Sequence, residues 1–350
     1  MKGTKNIHFQ IKKLLFFAVL TLIISVSFAQ PYSNSWINYS QQYYKFKVSE
    51  TGVYRIDSAV LANAGIPLST INPSNFQLFS RGVEVPLFIE GEGDGVFNGS
   101  DFIEFYGEYN DGWFDEPLYG AASKQPNPYY SLFTDTINYY LTWNNLITNN
   151  RYIVETDNNY SAYTPSNFVL KEEVEFYTLG HPVSQVGNLY IDGESNSIGG
   201  LSLHYVESEG WFDDWYTIGA SKTKSIISQN AYASGPDATL ESVVIGESNF
   251  SGNSFSPDQH LRISVGGNVF DTIFEGYRKI ETTFSIPISD LGASSTSVNF
   301  QSVNDLGSAV GKQSISYLKL AYPHTLDFRG GSTFDKFFVP RSLIQTKAYL

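Results

Sequence analysis

The chain has 350 residues, no cysteine and a formal net charge of −13, from 22 Lys and Arg against 35 Asp and Glu. This acidic balance repels phosphate backbones, so nucleic acid is not an expected partner. The absence of thiols excludes a cysteine nucleophile, a thiolate zinc site and an iron–sulfur cluster within these residues, and a large apolar core must stabilise the fold without disulfides.

The first 29 residues have the pattern of a signal peptide. Four lysines precede an apolar run from Leu14 to Val26, and Ser27 and Ala29 are the small residues expected before a cleavage site at Gln30. The run is shorter than the roughly 20 residues of a membrane-spanning helix. We therefore predict an exported protein whose mature chain has no transmembrane helix; an uncleaved membrane anchor is the alternative.

Strand patterns dominate residues 30–150, which we predict to form an N-terminal β domain. Alternation over residues 43–48 and 52–56 predicts a hairpin, and Asp57 is expected to cap a short helix over residues 58–64. The Gly-, Asp- and Pro-rich residues that follow the strand predicted at residues 102–106 predict a long irregular connection. The remaining strands of this region are predicted at residues 76–79, 85–89, 102–106 and 139–143, with the irregular connection at 110–128.

A polar stretch separates this region from a second β region. We predict a linker at residues 151–170, a jelly-roll-like β-sandwich at 171–328, and the start of a truncated downstream segment at 329–350. The fold class is therefore all-β, with two antiparallel β-sandwich or jelly-roll-like regions and few short helices. Strands of the second region are predicted at residues 174–177, 240–245, 261–265, 282–286, 297–300 and 315–322.

One loop has the spacing of an EF-hand calcium loop. Oxygen ligands fall at alternate positions and Gly95 falls at the sixth, where the loop must turn sharply. The loop begins with Glu and ends with Asp, which departs from the usual pattern, and its flanks are strands. The alternative is a surface hairpin whose Gly, Asp and Asn residues serve turn geometry. The predicted Ca²⁺ ligands are Glu90, Glu92, Asp94, Val96 (through its carbonyl), Asn98 and Asp101.

Two short segments combine tryptophan with carboxylates: the first aromatic-acidic patch (residues 112–115) and the second aromatic-acidic patch (residues 210–215). Exposed tryptophans beside carboxylates could stack on sugar rings, but such clusters more often pack as core anchors at strand ends.

The histidines offer no catalytic or metal-binding spacing. His181, His204, His260 and His324 are scattered along the chain, and neither an HExxH motif nor a Gly-x-Ser-x-Gly elbow is present. Carboxylates are plentiful, so an acid pair of the glycosidase kind stays open, although no pair stands out. We predict no catalytic residue.

Several strings resemble one group of bacterial proteins. The chain is similar to the N-terminal region of gingipain-type cysteine peptidases of Bacteroidetes, specifically the sortase-like peptidase of the type IX secretion system. The resemblance covers most of residues 36–328 through short motifs. These motifs are residues 52–56, 94–97, 101–107, 130–136, 210–211 and 315–322.

In that family a caspase-like α/β domain with a His–Cys dyad follows the β region, and the sortase removes C-terminal signals from secreted cargo. The present sequence stops where that domain would begin, so no catalytic residue can be transferred. The resemblance implies a non-catalytic module in the periplasm or on the outer-membrane surface. Its expected partners are a downstream peptidase domain, type IX secretion envelope proteins and secreted cargo. A stand-alone adhesin or carbohydrate-binding β-sandwich is the main alternative, and a carboxylate-dependent hydrolase is a third.

Overall fold

The computed structural model describes residues 34–145, 149–152, 156, 159, 161, 164–178, 188–189, 205–249, 257–327, 337–338 and 347–348. The predicted signal peptide, most of the predicted downstream segment, His181 and His204 lie outside these residues. Within them, no helix is both long enough and apolar enough to cross a membrane.

Strands supply most of the regular structure, so the all-β prediction is confirmed. Among the described residues the one α-helix is α1 (Ser58–Asn63), and short 3₁₀ turns occur at Asn34–Trp36, Leu68–Thr70, Pro73–Asn75, Glu92–Asp94, Trp113–Tyr119, Ala122–Lys124 and Ile288–Asp290. The strands are β1 (Tyr44–Val48), β2 (Gly52–Asp57), β3 (Phe76–Ser80), β4 (Val83–Val85), β5 (Phe88–Glu90), β6 (Phe102–Gly107), β7 (Ile137–Trp143), β8 (Thr164–Pro165), β9 (Phe168–Phe176), β10 (Asn188–Leu189), β11 (Gly210–Trp211), β12 (Tyr216–Thr217), β13 (Ser221–Ile227), β14 (Ala238–Gly246), β15 (Gln259–Val265), β16 (Asn268–Phe274), β17 (Lys279–Ile286), β18 (Ser295–Ser302), β19 (Lys312–Thr325), β20 (Phe337–Phe338) and β21 (Lys347–Ala348).

Backbone proximity divides the chain into two compact units. The first comprises Met1–Lys47, Val53–Tyr106 and Asn138–Tyr152, and the second comprises Val48–Gly52, Gly107–Ile137 and Ile153–Leu350. Residues 107–137 therefore group with the second unit, whereas the sequence analysis placed them in the first region. Strand β9 likewise begins inside the stretch predicted as a linker.

The first unit contains two small sheets, ordered β1-β7-β3-β4 and β2-β6-β5. Alternate residues face inward along β1, β2, β3 and β6, which is the period of two that a half-buried strand requires. Burial along β3 and β6 follows this alternation from end to end. Four members of the resulting core are fully covered: Phe76, Leu78, Ile103 and Phe105.

The predicted hairpin of β1 and β2 is wrong. β1 pairs with β7 in one sheet and β2 pairs with β6 in the other, so the two consecutive strands do not pair with each other. Alternation tells which face of a strand is buried but not which strand lies beside it. The consequence is that β1 and β2 each end a sheet.

Helix α1 forms as predicted. Oδ1 of Asp57 accepts a hydrogen bond from the Val60 amide at 2.8 Å, and Gly65 follows the helix with a φ of +81°. The cap satisfies one of the amides that a helix start leaves without an intrahelical partner.

Replacing Asp57 with alanine is expected to lower the free energy of unfolding by about 1 kcal/mol, because the Val60 amide loses its acceptor. Equilibrium urea denaturation of the parent and Asp57→Ala checks this, with Asp57→Asn as a control that keeps a capping oxygen. An alanine variant as stable as the parent would show that the cap makes no contribution.

The second unit is built on an antiparallel β-sandwich. One sheet runs β17-β14-β19-β9-β20 with β12 attached to β19, and the facing sheet runs β13-β18-β15-β16. The predicted sandwich is thus confirmed, and its central strands β14 and β19 have the longest buried runs. The core between the sheets is apolar: Tyr216, Ile226, Ala238, Leu240, Val244, Leu261, Ile263, Val265, Phe274, Ile286, Val298, Phe300, Ile315, Leu318, Leu320 and Tyr322.

Candidate functional site

The first unit contains an apolar cavity of about 290 Å³ beside β1 and β2, which we call the β1–β2 cleft. Its exposed wall includes Val60 and Ala64, so the cavity opens at the protein surface. The lining is Tyr44, Lys45, Phe46, Tyr54, Ile56, Val60, Leu61, Ala64, Ile66, Phe105 and Leu141.

The walls of the cleft are made by aromatic side chains in mutual contact. Tyr54 stacks on Phe105 with a centroid separation of 5.5 Å, and Phe46 meets the same ring edge-on at 5.7 Å. The Tyr44 hydroxyl donates to the Gly65 carbonyl at 3.3 Å, which ties β1 to the end of α1. These contacts fix the rings, so the cavity is a feature of the folded unit.

Positive charge lies beside the cleft. Lys45 and Lys47 are exposed on β1, and neither forms an ion pair with another residue that the structure describes. On β2, by contrast, Arg55 is paired with Glu104 at 2.6 Å and lies over the Phe102 ring. Of the three cations named here, only the two lysines on β1 lack an ion pair with another described residue.

In the predicted calcium loop, two carboxylates hold local turns. Oδ1 of Asp94 accepts from the Val96 amide at 2.9 Å, and Oδ2 of Asp101 accepts from the Asn98 amide at 2.8 Å. A Cβ at Gly91 would lie 2.2 Å from Cγ of Asp101, so this carboxylate lies directly against the Gly91 backbone. Both carboxylates thus serve the turn geometry that the alternative interpretation expected.

The other two acidic residues of the loop are placed differently. Oε1 of Glu92 pairs with Nε of Arg151 at 2.8 Å, while Glu90 is exposed at the end of β5. Among the described residues, no three His, Cys, Asp or Glu side chains are arranged to hold a metal ion. Calcium binding by this loop stays a prediction. It requires Glu92 to leave Arg151 and Asp101 to leave the Asn98 amide, so that both carboxylates can bind the ion.

Because calcium must break these two contacts, we expect it to bind weakly, with a Kd of about 10⁻⁴–10⁻³ M. Isothermal titration of calcium into the parent is expected to show one site and to show none in Asp94→Ala. Glu116→Ala, which removes an exposed carboxylate outside the loop, is the control. Equal calcium binding by Asp94→Ala and the parent would contradict the prediction.

The two aromatic-acidic patches meet at one residue of the second unit. Oδ2 of Asp115 accepts from the Leu132 amide at 2.7 Å, and the Trp211 indole donates to the Leu132 carbonyl at 3.2 Å. Burial raises the pKa of Asp115, although the Leu132 amide offsets part of that effect. Phe212 is 1% exposed and lies in a small core cluster. Asp115, Trp211 and Phe212 thus act as packing anchors, the more common of the two interpretations, while Phe114 of the first patch is 46% exposed.

Residues 107–137, called the anchored segment below, are held at further points within the second unit. A β-bulge between β14 and β19 inserts Ser316 as an extra residue, and its buried hydroxyl donates to the Pro126 carbonyl at 2.9 Å. The Tyr119 hydroxyl donates to the Glu209 carbonyl at 2.7 Å. These contacts involve residues far apart in sequence, which explains why the connection has fixed packing without regular structure.

A network of charges follows the second patch. Oδ2 of Asp213 lies 3.0 Å from the Lys222 ammonium and 2.5 Å from that of Lys224, and Lys222 also contacts Asp214. Lys312 lies over the Trp215 ring at 4.3 Å. Burying carboxylates is costly unless cations accompany them, and here they do. The network balances charge at one end of the sandwich.

Glu247, which directly follows β14, carries a buried carboxyl with a strongly raised pKa. It is 8% exposed, and burial raises the pKa of its carboxyl from 4.5 to about 7, partly opposed by Ser314 and Lys312. No sequence pattern indicated this residue, because an acid after an apolar strand is usually solvated.

The described histidines contact acceptors. His260 has Nδ1 at 2.9 Å from Asp305 and Nε2 at 3.0 Å from Asp271, and Asp271 also pairs with Arg262. Nδ1 of His324 contacts the carbonyl of its neighbour Thr325. Through these contacts His260 links β16 to Asp305, which is a structural role.

Comparison with known proteins gives structural matches only. No family model and no curated protein matches the sequence. The crystal structure of dimeric latent PorU from Porphyromonas gingivalis is similar with 13% identity and a TM-score of 0.49, over 83% of this chain and 25% of that chain. This chain thus spans about a quarter of the PorU chain.

Two glycoside hydrolase structures match less well. BuGH86 in complex with neoagarooctaose has 10% identity and a TM-score of 0.22, over 80% of this chain and 32% of that chain. BpGH86A, a β-porphyranase from the human gut bacterium Bacteroides plebeius, has 10% identity and a TM-score of 0.18, over 81% and 34% respectively. At such values a structural resemblance does not establish a shared activity.

Proposed function

We propose that this chain is the non-catalytic β module of a gingipain-like type IX secretion sortase and acts in scaffolding or docking at the cell envelope. One observation carries the proposal: residues that resemble the sortase family make the fixed packing of the anchored segment. Leu132 lies in the motif at residues 130–136, and Trp211, which contacts it, lies in the motif at residues 210–211. This packing between two of the motifs that carry the resemblance supports the proposal.

The disposition of the chemical groups supports the same proposal. Three buried carboxylates of the second unit are engaged in structural contacts: Asp115 and Asp258 each accept from a backbone amide, and Asp213 pairs with two lysines. The chain also contains no cysteine, so the nucleophile of the family would have to come from elsewhere. In this proposal the module positions a peptidase domain or its cargo, after export to the periplasm or the outer-membrane surface.

Sequencing the gene and its transcript past the codon for Leu350 tests the proposal. The expected result is a reading frame that continues into an α/β domain with a His and a Cys. A stop codon directly after Leu350, with no such domain encoded beside it, would contradict the sortase assignment.

A glycan array distinguishes the carbohydrate-binding alternative. Because the Trp211 indole N–H is already bonded to Leu132, we expect no glycan binding that depends on this residue. The variant Trp211→Phe keeps an aromatic side chain at this position. Glycan binding by the parent that is lost in this variant would favour the alternative.

A further inference from the structure

The β1–β2 cleft has a size and a lining suited to apolar side chains. A dry apolar cavity of about 150 Å³ already accepts a benzene-sized group. The cleft measures about 290 Å³, so it can hold one aromatic side chain or two smaller aliphatic ones. Because its aromatic walls are fixed by mutual contacts, an occupant would meet a preformed site and lose little free energy to reorganisation.

The cleft also reaches a free strand edge. A cavity on one face of a strand touches alternate residues, yet Tyr44, Lys45 and Phe46 are consecutive and all line it. The cavity therefore extends to the backbone of β1. β1 ends its sheet, and β2 ends the other, so within the described residues each has one edge paired with a strand and one edge without a strand partner.

We propose that an extended segment of a partner protein docks here by adding a strand along the open edge of β1. One apolar side chain of the segment enters the cleft, and an acidic residue of the segment faces Lys45 and Lys47. Main-chain hydrogen bonds to an exposed edge give such complexes affinity, and a pocket for an alternate side chain gives specificity.

The charges decide between occupants. Lysines on an edge strand repel a second strand that carries the same charges, so two copies of this chain paired edge to edge through β1 would oppose four lysines. An acidic segment meets the reverse situation, because Lys45 and Lys47 have no ion pair with another described residue. The occupant is thus a different, acidic and extended polypeptide. This inference does not depend on the family resemblance.

A phage-displayed library of random dodecapeptides, panned on the folded chain, is the probe. The expected enriched sequences alternate apolar residues with Asp or Glu. Synthetic fluorescent versions are then titrated against the parent and against variants at the cleft. Hydrogen exchange measured with bound peptide is expected to show protection of the β1 amides.

Two variants change the site at exposed positions, so the fold should persist, which circular dichroism verifies. Ala64→Phe partly fills the mouth and is expected to weaken peptide binding by about tenfold or more. Lys45→Glu combined with Lys47→Glu is expected to weaken it by about tenfold and to abolish its salt dependence. Val83→Asp, on β4 at the opposite end of the same sheet, is the matched control and should leave binding unchanged.

Several results would overturn the proposal. One is that no enriched peptide binds the parent more tightly than Ala64→Phe. Another is enrichment of apolar residues at helical spacing, which would indicate a helix as occupant. Protection confined to amides outside β1, or self-association of the parent that Lys45→Glu abolishes, would assign the cleft to a different partner.

Discussion

Truncating Phe300 to alanine is expected to lower the free energy of unfolding by about 3–5 kcal/mol. Phe300 lies on β18, between β13 and β15, with Lys222 and Ile263 as its cross-strand neighbours. Its side chain is 0% exposed in the sandwich core. The loss combines the transfer free energy of the ring with the cavity left behind, since close-packed neighbours relax only in part.

Equilibrium urea denaturation of the parent and Phe300→Ala measures this loss. Val269→Ala is the control, because Val269 lies in the same four-stranded sheet but is 59% exposed, and it should change stability by less than about 0.5 kcal/mol. If both variants lost the same small amount of unfolding free energy, the assignment of Phe300 to the interior of the sandwich would be wrong.

Glu247→Gln is expected to remove a pH dependence of stability worth about 3 kcal/mol. The carboxyl of Glu247 has its pKa raised from 4.5 to about 7 by burial, so the folded chain keeps a proton that the unfolded chain releases. Its contribution to stability is therefore complete below about pH 4.5, falls as the pH rises, and is lost above about pH 7. Glutamine stays neutral throughout this range, so the unfolding free energy of the variant lacks this pH-dependent loss.

The measurement is the difference in unfolding free energy between Glu247→Gln and the parent, from about pH 4.5 to pH 8. The variant is expected to gain on the parent steadily as the pH rises. Glu116→Gln removes the same charge from an exposed site, so an effect of net charge alone would appear in both variants. A constant difference for Glu247→Gln would mean that its carboxyl ionises in the fold as it does in water.

Much of the strand content was predictable because alternation of apolar residues is a local signal. The segment at residues 85–89 shows where that signal fails: predicted as one strand, it is split into β4 and β5 around Pro86, which cannot donate to a ladder. Strand β16 was missed because Val269 and Ile273 are apolar and exposed, which hides the alternation.

Pairing was less predictable than periodicity. The assignment of β1 and β2 to different sheets depends on β6 and β7, which lie about 50 and 90 residues further along the chain. The cleft arises from this separation, and its signal in the sequence was only the inward alternation of Tyr44 with Phe46 and of Tyr54 with Ile56. The predicted calcium ligands were a local pattern; several of them form turn and ion-pair contacts, and calcium binding stays a prediction.

The anchored segment shows the same limit in the second unit. Its Gly- and Pro-rich composition predicted irregular structure, as found, but not the residues that hold it. Asp115 and Trp211 are 96 positions apart and meet only because both contact Leu132. No window of sequence contains such a contact, so the role of the patches required the structure.

An in-frame deletion of residues 34–327 in the organism that encodes this chain tests the proposed role most directly, with the secreted proteins analysed by mass spectrometry. The proposed scaffolding or docking role predicts that cargo proteins keep their C-terminal signals and are released from the cell surface, and that the intact gene restores processing. Cargo that is fully processed and surface-attached in the deletion strain would contradict a role for this module in sortase function.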